Sequence, residues 1–309
     1  MTIAVIGAGA MGCLYGGYLS AENKVIMIDS YRPQAEAIAE KGIRIVETDG
    51  SEKTYKENIS ACLSGECSEK ADLVIVFVKS TNTDSALAEN RALFGEDTLV
   101  LTLQNGAGND RKVAKYVRPE NVLIGTSKHN AVNLGGGRTR HGGFGVTIVG
   151  STSGRADAAE KIAAAVHQAG IRTKPSDAIQ RIIWEKLFVN LSINAFTAIT
   201  ETPIGYLAQN PHAWDYAKKI IGEAVKVACA DGTPFEEEKV LAMVEKVCKD
   251  DAEGYSSMYQ DRKRHVKTEI DAINGAVVEQ AKLYKIPTPY NELVVDLVHA
   301  IEGAYDIAK

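Results

Sequence analysis

The sequence predicts an α/β N-terminal half built on a mostly parallel sheet, followed by an all-α C-terminal domain. Three observations carry that prediction. Short β-branched apolar runs alternate with helical stretches through the first part of the chain. A glycine-rich turn follows the first of these runs and opens the first helix. From residue 177 onward no strand pattern occurs, only long helical stretches divided by Pro and Gly. The 309 residues suit about two domains. With 45% hydrophobic and 24% charged residues there is material for a real core. The boundary is placed at Ser176, giving domains 1–176 and 177–309.

Residues 3–8 (IAVIGA) read as a strand and 10–20 as a helix; 24–29 (KVIMID) is a second strand. Pro33 sits well in the first turn of a helix over 33–41, and 43–48 is strand-like. Residues 71–79 (ADLVIVFVK) are the best buried strand, followed by a helix near 82–93 and a strand at 98–104. Runs apolar on both faces and separated by helices imply a parallel sheet covered on both sides. Across 122–150 glycines break up β-segments and leave no room for a crossover helix, so antiparallel hairpins are expected. The glycine cluster there lacks the GK[ST] ending of a phosphate loop. A helix at 154–169 and a strand at 171–174 close this half. Helices are then expected over 177–199, 211–230, 235–249, 256–284 and 290–306.

Composition excludes some function classes. Lys and Arg total 35 against 40 Asp and Glu, a net charge of −5, which lacks the basic footprint that nucleic acid requires. No run of about 18 apolar residues is found, and the chain opens directly on a strand without a basic leader. A cytoplasmic protein with no membrane partner is therefore expected. Five irregularly spaced cysteines, of which only Cys62 and Cys67 are close, read as scattered reduced thiols without a zinc set. No metal site is expected.

Gly7, Gly9 and Gly12 spell G-x-G-x-x-G (GAGAMG) between a strand and a helix. Gly7 permits the tight turn, Gly9 lets backbone approach a pyrophosphate, and Gly12 lets the helix pack close to the strand. The helix N-terminus, with Ala10 and Met11, offers unpaired N–H groups to phosphates. This is a Rossmann-type dinucleotide-binding signature. Asp29 ends the second strand, where an acid bonds the adenosine ribose and disfavours a 2′-phosphate, so NADH is favoured. Arg32 and Lys79 argue the other way, since either cation suits a 2′-phosphate.

The helix near 178–199 carries Lys186, Asn190 and Asn194 at i, i+4 and i+8, one slanting polar stripe on an apolar ribbon. A lysine and two amides in such a helix need partners. They form either a structural hydrogen-bond network or the lining of a catalytic cleft. A cation beside a ketone stabilises the developing oxyanion and supplies a proton during hydride transfer. Lysine, with a reference pKa of about 10.4, is charged at neutral pH. Asn amides and a serine hydroxyl grip a carboxylate without adding charge.

These motifs, together with L-Q-N-G at 103–106, S-S-M-x-x-D at 256–261, T-E-I-D-x-I-N-G at 268–275 and I-P-T-P at 286–289, resemble the ketopantoate reductase (2-dehydropantoate 2-reductase) family over nearly the whole chain. The resemblance implies a Rossmann-type domain followed by a helical domain, with a small 2-oxo acid bound between them. It implies NADPH as reductant, against the NADH lean from Asp29. It matches Lys186 to the general acid, Asn105, Asn190 and Asn194 to substrate or cofactor asparagines, Ser257 to the carboxylate-binding serine and Glu269 to the active-site glutamate. Ser257 and Glu269 are 12 residues apart, about 18 Å along a straight helix, so either Ser257 sits before or at a break in it, the favoured reading with Gly254 just upstream, or Glu269 reaches the site from the cofactor side.

The chain departs from the family pattern in two places. Pro203-Ile204-Gly205 replaces the usual P-N-G, and Gly254 stands where an asparagine is common. Ile204 points to a substrate more apolar at one end. An NAD-dependent D-2-hydroxyacid dehydrogenase acting on branched or aromatic 2-oxo acids is therefore the second reading, and a non-catalytic dinucleotide sensor the third. His129 and His141 read as surface or cleft residues with no orienting carboxylate, and the basic run at 262–267 as a solvated face. Tyr255 and Tyr259 line the cleft or pack the core. Long apolar helices are compatible with a homodimer, but nothing in the sequence dictates one.

Overall fold

The computed structural model describes residues 1–305, which form two compact units. The first holds residues 1–104 and 109–179; the second holds 105–108 and the helices from residue 180.

The first unit runs β1 (Thr2–Ile6), α1 (Ala10–Leu19), β2 (Lys24–Asp29), α2 (Arg32–Lys41), β3 (Ile43–Val46), β4 (Glu52–Tyr55), β5 (Ile59–Leu63) and β6 (Leu73–Val76). It continues through α3 (Thr83–Glu89), β7 (Leu99–Thr102), α4 (Asn109–Val113), β8 (Val122–Ser127), β9 (Asn130–Gly135), β10 (Arg138–Gly143), β11 (Thr147–Ser151), α5 (Ala156–Gln168) and β12 (Thr173–Pro175). Eight strands form one sheet in the order β12-β11-β8-β7-β6-β1-β2-β5. All neighbours are parallel except β8 and β11. The chain leaves β1 toward β2 on one side and reaches β6 on the other, so strand order reverses at β1. That reversal point is where open α/β sheets bind ligands.

A second sheet, β4-β3-β10-β9, was only partly foreseen. The expected antiparallel pairing is present between β9 and β10 and between β8 and β11. In addition, β10 pairs in parallel with β3, and β8 with β7, contacts that hairpins alone do not contain. Helix α1 packs against this second sheet through its glycines. A Cβ on Gly17 would stand 2.7 Å from Ile45 Cδ1, and one on Gly16 would stand 2.4 Å from Met27 Sδ in the main sheet. Strands β4 and β5 and the short α4 carry no strong period and were not anticipated.

The second unit contains α6 (Ile179–Thr200, whose first residue belongs to the other unit), α7 (Tyr206–Gln209), α8 (Pro211–Ala230), α9 (Glu237–Asp250), α10 (Ser257–Lys263), α11 (Asn274–Tyr284) and α12 (Pro289–Gly303). Helix α6 is, by length and composition, apolar enough to cross a bilayer, a run the sequence had not been expected to contain. It is the core helix of this unit: Trp184, Phe188, Leu191 and Ala195 are fully buried on it. The continuous helix expected over 256–284 is instead broken. Helix α10 stops at Lys263, His265 takes a left-handed φ of 54°, and only a 3₁₀ turn at Ile270–Ala272 precedes α11. The buried carboxylate of Glu223 on α8 accepts from the Tyr290 and Asn291 N–H groups at 2.9 and 3.0 Å. It thereby satisfies the first turn of α12 from a distance.

Candidate active site

The glycine turn has the geometry its sequence demands. Gly7 adopts φ 99°, and its N–H donates to Ile28 O at 2.8 Å. A Cβ on Gly12 would lie 1.9 Å from Gly7 O, whereas one on Gly9 would meet nothing within 4 Å. Gly9 therefore leaves open space above the start of α1, where the first-turn N–H groups have no side-chain cap. The turn is pinned on both sides of Ala8. Asp29 Oδ2 accepts from Ala8 N–H at 2.8 Å, and Gln34 Nε2 donates to Ala8 O at 2.6 Å. Asp29 Oδ1 also accepts from Tyr31 N–H at 2.9 Å. The Asp29 carboxylate thus builds the turn itself, a role that its place at a strand end does not reveal. Thr139 Oγ1 donates to Ala10 O, tying the hairpin to α1. Burial and then Asp29 push the Cys13 thiol up to about 12, so Cys13 is an inert core thiol.

A cleft of about 300 Å³ opens beside this turn at the carboxyl ends of β1 and β2, lined by Gly7, Asp29, Ser30, Ser64, Asn82 and Glu89 among others. Its acidic residues, Asp29 and Glu89, come from opposite sides of the strand reversal. Arg32 pairs with Glu36 and Glu66 at 3.6 and 3.8 Å, and Lys79 is exposed at the start of a 3₁₀ turn. Neither belongs to the cleft lining. Ser64 and Glu89 had no sequence signal, because they follow or belong to the weakly patterned elements β5 and α3.

His129 and His141 are not surface residues. They are 8% and 1% exposed, their rings stack, and His129 Nδ1 lies 3.2 Å from His141 Nε2. A carboxylate does orient them: Glu47 Oε2 is 3.4 Å from His141 Nδ1, and the Tyr18 hydroxyl donates to Glu47 at 2.7 Å. The partner lies 94 residues away in sequence, which is why spacing missed it. Burial, helped by His141, lowers the His129 pKa and keeps that ring neutral.

In the second unit, Asn105 Nδ2 donates to Glu269 Oε2 at 2.8 Å. The glycines after Asn105 let this happen. Gly106 at φ 92° leaves only 2.0 Å between a would-be Cβ and Ala272 O, and Gly108 at φ 78° lies against Gln280. Lys186 and Asn190 are half-buried and Asn194 is 8% exposed, all on the single continuous helix α6. Ser257 is the exposed first residue of α10. Its neighbour Ser256 caps that helix and meets Thr197 Oγ1 on α6 at 2.7 Å. With the helix broken after Lys263, the 18 Å objection to Ser257 and Glu269 serving one ligand lapses.

Ile204 is 7% exposed and packs within the core cluster of the second unit; its N–H donates to Gly254 O at 2.9 Å. One further expectation, that of a solvated basic face, is corrected at Arg262. Arg262 is not part of a solvated face. Its guanidinium donates to Ala198 O and Ile199 O at the end of α6 and pairs with Glu201 at 3.0 Å. Tyr255 and Tyr259 stack on each other, with ring centres 4.4 Å apart and Tyr255 exposed.

Residues 3–154 match the family described as "Ketopantoate reductase PanE/ApbA", and residues 178–302 match its C-terminal counterpart. The chain belongs to the ketopantoate reductase family. Among similar family members, the 2-dehydropantoate 2-reductase of Halobacterium salinarum is 36% identical over 96% of this chain and 98% of its own. That of Lactococcus lactis is 35% identical over 98% of each. Among solved structures, D-mandelate dehydrogenase with NADH and anilino(oxo)acetate superposes with a TM-score of 0.88 at 33% identity, covering 99% of this chain and 100% of that one. A family ketopantoate reductase from Ralstonia eutropha does so at 0.86 and 31%, with the same coverage.

Proposed function

We propose that this chain is an NAD(P)H-dependent reductase of a 2-oxo acid, giving the D-2-hydroxy acid as 2-dehydropantoate 2-reductases do. The observation that carries the reading is the 2.8 Å bond between Asn105 and Glu269. It joins two residues of the family pattern, 164 positions apart, in the same compact unit that presents the Lys186 stripe.

The residues present fit a dinucleotide. Gly9 leaves an unfilled approach to the first-turn N–H groups of α1, and Gly7 and Gly12 allow no larger side chain. Gly7, Gly9, Ala10, Met11 and Gly12 would hold the pyrophosphate. Asp29 would hold the adenosine ribose. When bound, the nicotinamide supplies a hydride to the carbonyl carbon. Lys186 stabilises the charge growing on the carbonyl oxygen and donates the proton that completes the alcohol. Glu269 holds the Asn105 amide in one orientation. Asn190, Asn194 and Ser257 bind the substrate carboxylate as neutral donors.

NADH is the preferred reductant in this reading. A 2′-phosphate would bring about two further negative charges to a cleft that already holds Asp29 and Glu89, while Arg32 is paired with two glutamates. The likeness to D-mandelate dehydrogenase supports a second reading, NAD-dependent reduction of branched or aromatic 2-oxo acids. An assay at 340 nm crossing NADH and NADPH with ketopantoate, 2-oxoisovalerate and phenylglyoxylate separates the two. In either case Lys186→Ala is expected to lower kcat/KM by about 10²–10⁴-fold with cofactor affinity unchanged. Unimpaired turnover in that variant would remove Lys186 from the reaction, whereas NADH binding by the parent with no turnover of any of these acids would favour the dinucleotide sensor.

A further inference from the structure

Glu269 lies in an irregular stretch. The N–H groups of Arg264, His265 and Val266 bond back to α10 and Glu269 O accepts from the Ala272 and Ile273 N–H groups, but the Thr268 N–H finds its acceptor outside the segment, and the 3₁₀ turn that follows is one turn long. The last turns of α12 supply what is missing. Glu302 Oε1 accepts from both Thr268 N–H and Thr268 Oγ1 at 2.7 Å, so the residue immediately before Glu269 is held twice by one carboxylate oxygen. His299, one turn earlier on α12, bridges to the other side. Its Nδ1 faces Glu302 Oε2 at 3.1 Å and its Nε2 faces Asp271 Oδ1 at 2.9 Å. The segment is thus gripped at the Thr268 backbone, one residue before Glu269, and at the Asp271 side chain, two after it. The Glu302 side chain is 8% exposed, so its contact with Thr268 is largely desolvated, whereas His299 and Asp271 are 44% and 48% exposed and their bridge lies at the surface.

We propose that Glu302, with His299, is a positioning residue for Glu269: the end of α12 fixes the segment from which the Glu269 carboxylate reaches Asn105. The inference rests on the assignment of Glu269 to the reaction made above.

The clamp has a built-in proton dependence. Both ring nitrogens of His299 face carboxylates, so both must carry hydrogen for both bonds to form, and only the imidazolium does that. Burial works against the charged ring, but the bonds to Asp271 and Glu302 outweigh it and raise its pKa above the usual value. Burial likewise opposes the Glu302 carboxylate, yet the two Thr268 donors and His299 hold its pKa below the ordinary range. The Tyr305 phenol also senses Glu302, along with Arg262 and Asp261. Deprotonating His299 as pH rises removes one of its two bonds, to Asp271 or to Glu302, and loosens the clamp.

The test is a double-mutant cycle with Glu302→Ala, Glu269→Ala and the double variant. It uses whichever of ketopantoate or phenylglyoxylate is turned over, with NADH titration and thermal melts alongside. Glu302→Ala is expected to lower kcat about tenfold or more with cofactor affinity unchanged, because loss of about 1 Å of placement is that costly. Glu302→Gln keeps an acceptor for Thr268 and is expected to recover most of the rate. The double variant should be no slower than Glu269→Ala alone. In His299→Gln the fall of kcat as pH rises through the raised His299 pKa should flatten. Should Glu302→Ala not fold, Thr268→Val replaces it in the cycle, since it removes the hydroxyl arm only. Multiplicative losses in the cycle, or a folded Glu302→Ala with kcat within about twofold of the parent, would overturn the positioning role. Unchanged turnover in Glu269→Ala itself would remove the underlying assignment as well, and is distinguishable because it involves no change on α12.

Discussion

The glycine turn offers a test in which two alanine substitutions three residues apart should both weaken NADH binding but only one should cost stability. At Gly12 a Cβ would stand 1.9 Å from Gly7 O, and ordinary contact begins at 3.4 Å. The start of α1 must therefore retreat by about 1.5 Å, the difference between those distances. Overpacking of this kind costs about 1–3 kcal/mol of folding free energy. Gly12→Ala should lower the melting temperature of the ligand-free protein and weaken NADH binding together. At Gly9 a Cβ meets nothing, and the backbone at φ −73° suits alanine. The weaker capping by alanine, about 0.5–1 kcal/mol, is offset by a stiffer unfolded chain. Gly9→Ala should melt like the parent. The added methyl nevertheless occupies the space through which a pyrophosphate must approach the first-turn N–H groups. Losing one charge-assisted bond there, at about 1.5–3 kcal/mol, corresponds to roughly 10–100-fold in Kd. Fluorescence titration with NADH and thermal melts of both variants supply the two readouts. Parental NADH affinity in Gly9→Ala, or parental stability in Gly12→Ala, would show that the turn does not work in this way.

Other perturbations follow from the second unit and the buried histidines. Gly106→Ala forces a Cβ against Ala272 O, 2.0 Å away, and should depress kcat through displacement of Glu269 while NADH binding stays intact; steady-state kinetics with a parallel titration would expose an unchanged kcat. Arg262→Ala strips the Ala198 and Ile199 carbonyls of their donor and should destabilise the second unit by about 1.5–3 kcal/mol, read as a lower melting temperature. Arg262→Lys should restore only part, because an ammonium lacks the planar fork. His129 has a folded pKa below its unfolded one, so the unfolded chain binds more protons between the two values. Stability is complete above about 6.5 and falls as pH drops toward the folded pKa. His299, with its raised pKa, acts in the opposite sense. The drop in melting temperature from pH 7.5 to 5.5 should be smaller in His129→Gln than in the parent, and an equal drop would assign the acid sensitivity elsewhere.

Much of the architecture was written in local pattern. The buried strands β1, β2, β6 and β7 are apolar on both faces, and G-A-G-A-M-G lies between a strand and a helix, so neither needed tertiary information to be read. The stripe of Lys186, Asn190 and Asn194 was legible because helical geometry alone places i, i+4 and i+8 on one side. Strands β4 and β5 were not legible. Their residues, EKTY and ISACL, are short and half-exposed, and they become strands by pairing with β3 and β2. The break between α10 and α11 was equally hidden. No proline or glycine marks 264–269, and the interruption is held in place by Glu302 from some 34 residues downstream.

The sequence by itself determined the order of the two units, the dinucleotide turn and the residue types available for reducing a ketone, because each depends on neighbours within a few residues. Only the tertiary structure decided which polar groups are consumed in building the fold. Asp29 was expected to face a ribose and also pins the Ala8 N–H, Arg262 caps a helix, Ile204 fills a core, and Glu47 finds a histidine 94 positions away. Such pairings are set by the desolvation cost of leaving a buried donor or acceptor unmatched. That cost exists only once distant segments have been brought together.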